Sequence, residues 1–296
     1  MSILSKAKIG FNRVNVSLGK KIFGNSRGIT YSISGLNNLD KSIDDDLEKN
    51  NPELFSLKKN GYTKFKNSYD KSLIFNLQKK FESLINDNAY SFPLSGYENT
   101  IYSRAILDPE KNFPELASLI TNDVKSIAQG YFKSHFKIKH IQCSKNYHVP
   151  ENITKEHEMF ANFWHCDARR SDELKYFVYM SDVTEEDGPF HIQSIKRTKE
   201  LIKLGFGNRD HYDLPLNTLE DPSHVIKITG HTGTSFFGNV TVCLHRAGDP
   251  AEGHTRNIVQ FFFGPSDHQM TDNWLNEVEP YNYMTKDLPY FIPNRS

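Results

Sequence analysis

His165 and Asp167 stand one residue apart in Phe163-Trp164-His165-Cys166-Asp167, shortly before the strand-like run Lys175-Tyr176-Phe177-Val178-Tyr179-Met180. On an extended backbone side chains alternate, so His165 and Asp167 share one face while Cys166 takes the other. A second histidine, His245, closes the run Thr241-Val242-Cys243-Leu244. After a Gly/Pro/Asp-rich turn over 249–253, Arg256 opens the run Asn257-Ile258-Val259-Gln260-Phe261-Phe262-Phe263. Read locally, this is a hairpin whose adjacent strands turn His245 and Arg256 toward one cavity. Two imidazoles and a carboxylate can hold one face of an octahedral ferrous ion and leave three positions open. A 2-oxo acid fills two of them through its keto oxygen and adjoining carboxylate. A remote carboxylate on the same molecule asks for a planar, permanently charged fork, which Arg256 supplies. Oxygen takes the last position.

A His-x-Asp pair alone carries little weight in a chain with 12 histidines. His211-Tyr212-Asp213 is a second match, but it sits among Gly205, Gly207, Asn208, Asp210 and Pro215, a loop composition with no adjoining strand. His165 and Asp167 are favoured by an aromatic lead-in, a following strand and the downstream partners.

The elements that must position these residues follow from periodicity. Asn60-Gly61 is a turn signal before a short alternating strand ending near Phe65. Asp70 caps a helix whose face is Leu73, Ile74, Leu77, Phe81, Leu84 and Ile85. A second helix is expected to open at Pro114 and to carry Leu116, Leu119, Ile120, Val124, Ile127 and Tyr131 on one side. Beyond residue 136 the texture becomes short runs rich in β-branched and aromatic residues: 138–148, 162–167, 174–183, 188–193, 224–229, 233–237, 240–245 and 256–263. Eight short strands without regular helical crossovers predict a double-stranded β-helix, a jelly roll, covered by the helices that precede it. The expected division is a polar, basic extension over 1–50 and one jelly-roll domain over 51–296, with its core at about 136–264.

Charge balances at 36 basic and 36 acidic residues, so no global field selects nucleic acid, and a discrete small-molecule substrate is the expected partner. Lys6, Lys8, Arg13, Lys20, Lys21 and Arg27 all precede the first acid, Asp40, which allows a weak surface contact through this arm. No apolar run approaches the roughly 18 residues needed to cross a bilayer. Three cysteines, Cys143, Cys166 and Cys243, argue for buried thiols in a reducing compartment, so the protein is expected to be cytoplasmic. Arg169 and Arg170, just beyond Asp167, and Arg197 with Lys196 and Lys199, in a loop after Gly188-Pro189, would place positive charge at the pocket mouth and suit an anionic substrate.

These residues resemble the phytanoyl-CoA hydroxylase-like branch of the Fe(II)/2-oxoglutarate-dependent dioxygenases. The likeness runs over about residues 57–264: His-x-Asp, a distal His, and an Arg eleven positions after it. Ser181-Asp182-Val183-Thr184-Glu185-Glu186-Asp187-Gly188-Pro189-Phe190 resembles the family's strand-turn-strand segment. Gln142-Cys143-Ser144-Lys145-Asn146-Tyr147 resembles the strand whose Gln and Asn help hold 2-oxoglutarate. The resemblance implies an iron site of His165, Asp167 and His245, with 2-oxoglutarate on Arg256, Gln142 and Asn146. It also implies hydroxylation of an unactivated C–H bond with release of succinate and carbon dioxide. Ser194-Ile195-Lys196-Arg197 replaces the Pro-Gly-Ser-His turn of many relatives, which removes any guide to substrate. Asp167 disfavours the halogenase variation, in which a halide takes the carboxylate's place. Two other readings stay open on sequence alone: a jelly-roll binding protein without turnover, and a dioxygenase acting on a protein side chain.

Overall fold

The computed structural model describes residues 50–65, 69–167, 173–204, 206 and 216–279, with backbone alone at 216–217 and 291–292. The basic arm, Arg169, Arg170 and His211-Tyr212-Asp213 lie outside these residues.

Local chemistry sets the helices. Helix α1 (Pro52–Asn60) starts where the Asn51 side chain accepts from the Leu54 N–H, with Pro52 in the first turn, where its missing donor costs nothing. It stops at Gly61, whose φ of 90° is the left-handed conformation glycine adopts without strain. A side chain at Gly61 would also run into the Cys243 sulfur. Strand β1 (Tyr62–Lys64) follows directly. Helix α2 (Lys71–Asn86) is capped by Asp70, which accepts from the N–H groups of Ser72 and Leu73, and it buries Ile74, Leu77, Phe81, Leu84 and Ile85.

The helix expected from Pro114 is two elements. A 3-10 turn over Pro114–Leu119 ends as Ile120 leaves helical geometry, and helix α3 (Asn122–Phe132) begins afresh with Thr121 accepting from the Val124 N–H. A threonine hydroxyl competing for backbone donors restarts the helix, something a purely apolar periodicity does not register.

The large sheet runs β1-β8-β5-β10-β4-β3-β2-β11, with β2 (Ser91–Tyr97), β3 (Thr100–Ile106), β4 (Phe136–Tyr147), β5 (Leu174–Tyr179), β8 (Ser235–Gly238), β10 (Thr255–Pro265) and β11 (Phe291–Ile292). The small sheet is β7-β6-β9: Val225–Ile228, Phe190–Gln193 and His245–Ala247. A bridge between His165 and His245 adds the 165 segment to its edge. From β4 to β10, with the 165 segment counted, the chain crosses between the sheets at every connection except β6 to β7, which are neighbours in the small sheet, in the manner of a jelly roll.

Alternation divides each strand's side chains between two cores. From the large sheet Val259, Phe261 and Phe263 of β10, Tyr176 and Val178 of β5, and Ile141 and Cys143 of β4 pack outward against the helices. Phe177, Tyr179, Phe236 and Ile258 point the other way and meet Phe190, Ile192 and Ile228 of the small sheet. The space between the sheets is where a ligand could be sheltered from water.

Three sequence expectations change. The 240–245 run is a turn, not a strand, because the Asn239 carbonyl accepts from the N–H groups of both Val242 and Cys243 and coils the backbone. His245 opens β9 rather than ending a strand. The 241–263 hairpin is not formed: β9 pairs with β6, whereas β10 pairs with β4 and β5 in the opposite sheet. Finally, the 195–199 loop is helix α4 (Ile195–Lys203), started by Ser194 accepting from the Arg197 N–H.

Candidate metal centre

The 165 segment is held at the sheet edge by reciprocal backbone bonds, His165 N–H to His245 O and His245 N–H to His165 O, each 3.0 Å. Two residues on, the Asp167 N–H donates to the Val240 carbonyl at 2.8 Å. The extended spacing thus turns both side chains inward, next to the first residue of β9. His165 and His245 are almost fully buried, while Asp167 keeps about one fifth of its side-chain exposure (22%).

The imidazoles are oriented by their own chain. His165 Nδ1 lies 2.7 Å from the Phe163 carbonyl and His245 Nδ1 lies 3.1 Å from that of Cys243. A carbonyl can only accept, so each Nδ1 carries the proton, and in the neutral ring Nε2 presents a lone pair. Both lone pairs face one carboxylate oxygen: Asp167 Oδ1 is 3.2 Å from His165 Nε2 and 3.8 Å from His245 Nε2. The ligand atoms of the three residues lie within 4.8 Å of one another. Cis ligands on an octahedral ion with bonds of about 2.1 Å sit about 3.0 Å apart, so a small contraction closes this set around a metal.

The electrostatics agree with that geometry. Burial pushes the His245 pKa down, and neighbouring His165 adds to the effect, so the ring stays neutral. For Asp167 burial works upward, but Lys175 and the two histidines outweigh it and hold the carboxyl well below its ordinary range. When both rings are neutral, the two Nε2 lone pairs and Oδ1 face one another with no proton between them and repel unless a cation separates them, and this is the observation that fits the site to a metal. Phe190 stacks on the His245 ring with centroids 5.6 Å apart and walls off the inner side.

Arg256 is 2% exposed on β10. Its Nη1 makes a long bond, 3.4 Å, to the Gly248 carbonyl, and its Nε has no acceptor among the described residues. Burial pulls its pKa below the ordinary value, with Tyr179 and Asp249 pulling the other way. Asp249 already serves Asn162 and Arg246. A buried guanidinium so poorly satisfied is costly unless an anion joins it. Asn146 lies directly opposite Arg256 in the β4–β10 register, so both side chains share the inner face, and Asn146 Oδ1 accepts from Ser103. Gln142 is four residues along the same strand face, opposite Gln260.

The structure therefore brings together His165, Asp167 and His245, and places Arg256, Asn146 and Gln142 in one face of the large sheet. The Arg197 guanidinium binds the Thr218 carbonyl and approaches Glu200 on α4. Trp164 packs on the outer side of the small sheet with its indole N–H on Glu220. Sequence reasoning missed Lys175, whose Nζ lies 2.7 Å from Asp167 Oδ2. Its signal was available as the lone charge in an otherwise apolar and aromatic strand.

No family model matches the chain, and no curated protein matches it. Solved structures do. The non-heme alpha ketoglutarate dependent epimerase SnoN from nogalamycin biosynthesis superposes with a TM-score of 0.53 at 14% identity, covering 74% of this chain and 83% of SnoN. EctD from S. alaskensis with 2-oxoglutarate and 5-hydroxyectoine gives 0.53 at 14% identity, covering 82% and 87%. The carbocyclase SnoK from the same nogalamycin biosynthesis gives 0.52 at 12%, covering 78% and 91%. At these identities the likeness establishes the jelly-roll fold.

Proposed function

We propose that the protein is an Fe(II)- and 2-oxoglutarate-dependent oxygenase that oxidises an unactivated C–H bond of a small organic substrate. The reading rests on one observation above the rest: two Nε2 lone pairs and one carboxylate oxygen converge while both Nδ1 protons are turned away to backbone carbonyls. Dioxygen would be the oxidant, one of its atoms leaving in succinate as 2-oxoglutarate loses carbon dioxide and the other entering the substrate, and bound iron is the group that would supply this chemistry. Proteins of similar fold are described with iron, 2-oxoglutarate or both, which supports the same cofactors here.

The chain's own residues do the rest. His165, Asp167 and His245 would hold the metal on one face and leave the opposite face to ligands. Arg256, with Asn146 and Gln142 on the same strand face, would receive the remote carboxylate of 2-oxoglutarate and satisfy the guanidinium that is otherwise left short of acceptors. Phe177, Phe190, Phe236 and Ile258 line the inter-sheet core and exclude water from this end of the sandwich. No side chain has to act as nucleophile or general base. Hydroxylation is the outcome we assign; the similar folds include an epimerase and a carbocyclase. Arg169 and Arg170 are proposed as the handle for an anionic substrate, and their replacement by Ala should raise KM for such a substrate while leaving KM for 2-oxoglutarate unchanged.

The experiment is anaerobic addition of ferrous iron and 2-oxoglutarate, followed by oxygen and a substrate panel scored by succinate. A visible absorption band from the iron–2-oxo acid chelate, lost in His165→Ala, is expected. A folded protein without the band sinks the assignment.

A further inference from the structure

Each imidazole of the candidate centre is held by a second group, His165 by the Phe163 carbonyl and His245 by the Cys243 carbonyl. Such outer partners fix the direction in which a ligand's lone pair points. Among the described residues of its own segment, none holds Asp167 in this way. Its backbone N–H is tied to Val240, but that bond leaves the carboxylate free to rotate about its side-chain torsions. The group that does reach it comes from the opposite sheet.

Lys175 is the second residue of β5, flanked in register by Phe262 of β10 and Gly238 of β8. Its ammonium rests over the Phe262 ring, 4.5 Å from the centroid, and ends 2.7 Å from Asp167 Oδ2. The lysine side chain is 13% exposed. A cation this far withdrawn from water is tolerated when an opposite charge meets it, and the aromatic face adds to its stabilisation. The two oxygens of Asp167 are thereby distinguished: Oδ1 faces both imidazoles, at 3.2 and 3.8 Å, while Oδ2 is taken by Lys175.

We infer that Lys175 is a positioning residue for the metal centre. It ties up Oδ2 so that Asp167 offers a single oxygen, Oδ1, to the ion. That would keep the carboxylate monodentate and leave three positions open for 2-oxo acid and oxygen. The inference rests on the metal-site reading above and adds a residue from the large sheet to a site otherwise built on the small one. It also explains a charge in a strand whose neighbours are Leu174, Tyr176, Phe177 and Val178.

The competing electrostatic effect has the opposite sign. An ammonium near a divalent ion repels it, so a lysine without a positioning role would weaken metal binding, and its removal would strengthen it. Affinity therefore separates the two roles. The full-length protein is titrated with Co(II) alone, by calorimetry and by the visible absorption of the bound ion, as wild type, Lys175→Met, Lys175→Gln and Lys175→Arg. Thermal unfolding of each metal-free protein is measured alongside.

The expected result is Co(II) binding at least tenfold weaker in Lys175→Met and Lys175→Gln, with a changed absorption spectrum, and recovery to within threefold of wild type in Lys175→Arg. Binding in either uncharged variant that equals or exceeds wild type overturns the inference. So does an Arg variant as weak as the uncharged ones, because charge-based positioning would then not be what was lost. If Lys175→Met fails to fold, Lys175→Gln and Lys175→Arg decide by the same criteria; if neither uncharged variant folds, Lys175 is a folding residue and the inference fails. Wild-type protein that binds no Co(II) overturns the metal-site reading itself, an outcome distinct from any of these.

Discussion

The two sheets of this sandwich are built to different standards of regularity. The large sheet holds the 12-residue β4 and the 11-residue β10 in a ladder interrupted by a single register shift, and its outer face carries most of the helix-covered core. The small sheet consists of strands of three or four residues, and the segment bearing His165 joins it through one bridge. All three candidate metal ligands are on or beside the small sheet, while Arg256, Asn146 and Lys175 are on the large one. A long ladder fixes distances over many residues, whereas short strands let the backbone bend enough to bring three ligands to a point. Stability and ligand convergence are thus separated by sheet, with the cavity between them.

The sharpest way to break this comparison is to remove a ligand from the small sheet. His245→Ala should abolish measurable metal binding and turnover while the metal-free protein still unfolds cooperatively, as followed by metal titration and circular dichroism. If the metal-free variant is unfolded, the small sheet is as structural as the large one and the contrast fails. A complementary change in the large sheet, Phe261→Ala, removes a fully buried ring that packs against the helices. It should cost about 3–5 kcal/mol in denaturant unfolding, with metal affinity little changed in the folded fraction.

A smaller effect is expected at Arg256. Arg256→Met keeps the stem and loses the fork, so KM for 2-oxoglutarate should rise by roughly thirtyfold, equivalent to about 2 kcal/mol of charge-assisted hydrogen bonding. Metal affinity without the co-substrate should stay near wild type, which would separate the inner-face anion site from the metal ligands.

The smallest effect concerns His191 on the outer side of the small sheet. It is buried, its Nδ1 has no hydrogen-bond partner among the described residues, and burial, aided by Arg246 and Lys227, pushes its pKa down from 6.5 to about 2. Between those values the unfolded chain binds a proton that the folded protein refuses. Stability attributable to this ring is therefore intact above pH 6.5 and is lost as pH falls, by about 1.4 kcal/mol per pH unit. In His191→Gln the decline of unfolding free energy between pH 6.5 and 5 should be shallower by about that amount. An unchanged slope would mean that His191 takes up its proton in the folded state.

Much of this was legible in the residues, for identifiable reasons. Helix α2 followed from Asp70 and a 3.6-residue apolar stripe, both local signals. Strands β4 and β10 followed from long β-branched and aromatic runs. His165 and Asp167 were expected on one face because alternation is a property of the backbone itself. Helix α1 went unseen because its start depends on one Asn51 side-chain bond and its apolar face is only Leu54 and Leu57. The 240–245 run reads as a strand because Val240, Val242, Cys243 and Leu244 have the composition of one. Only the double acceptance by the Asn239 carbonyl coils it.

What the sequence determined by itself was the kind of chemistry available: two imidazoles, a carboxylate and a buried-type arginine in a given order, on segments with a given alternation. These are matters of side-chain type and short-range geometry. Tertiary structure alone decided that His245 and Arg256 belong to opposite sheets, and that Asp167 divides its oxygens between two histidines and Lys175. Alternation says which side of a strand a residue takes, but the partner across a ladder is chosen by long-range hydrogen bonding and packing, and no local pattern records that choice.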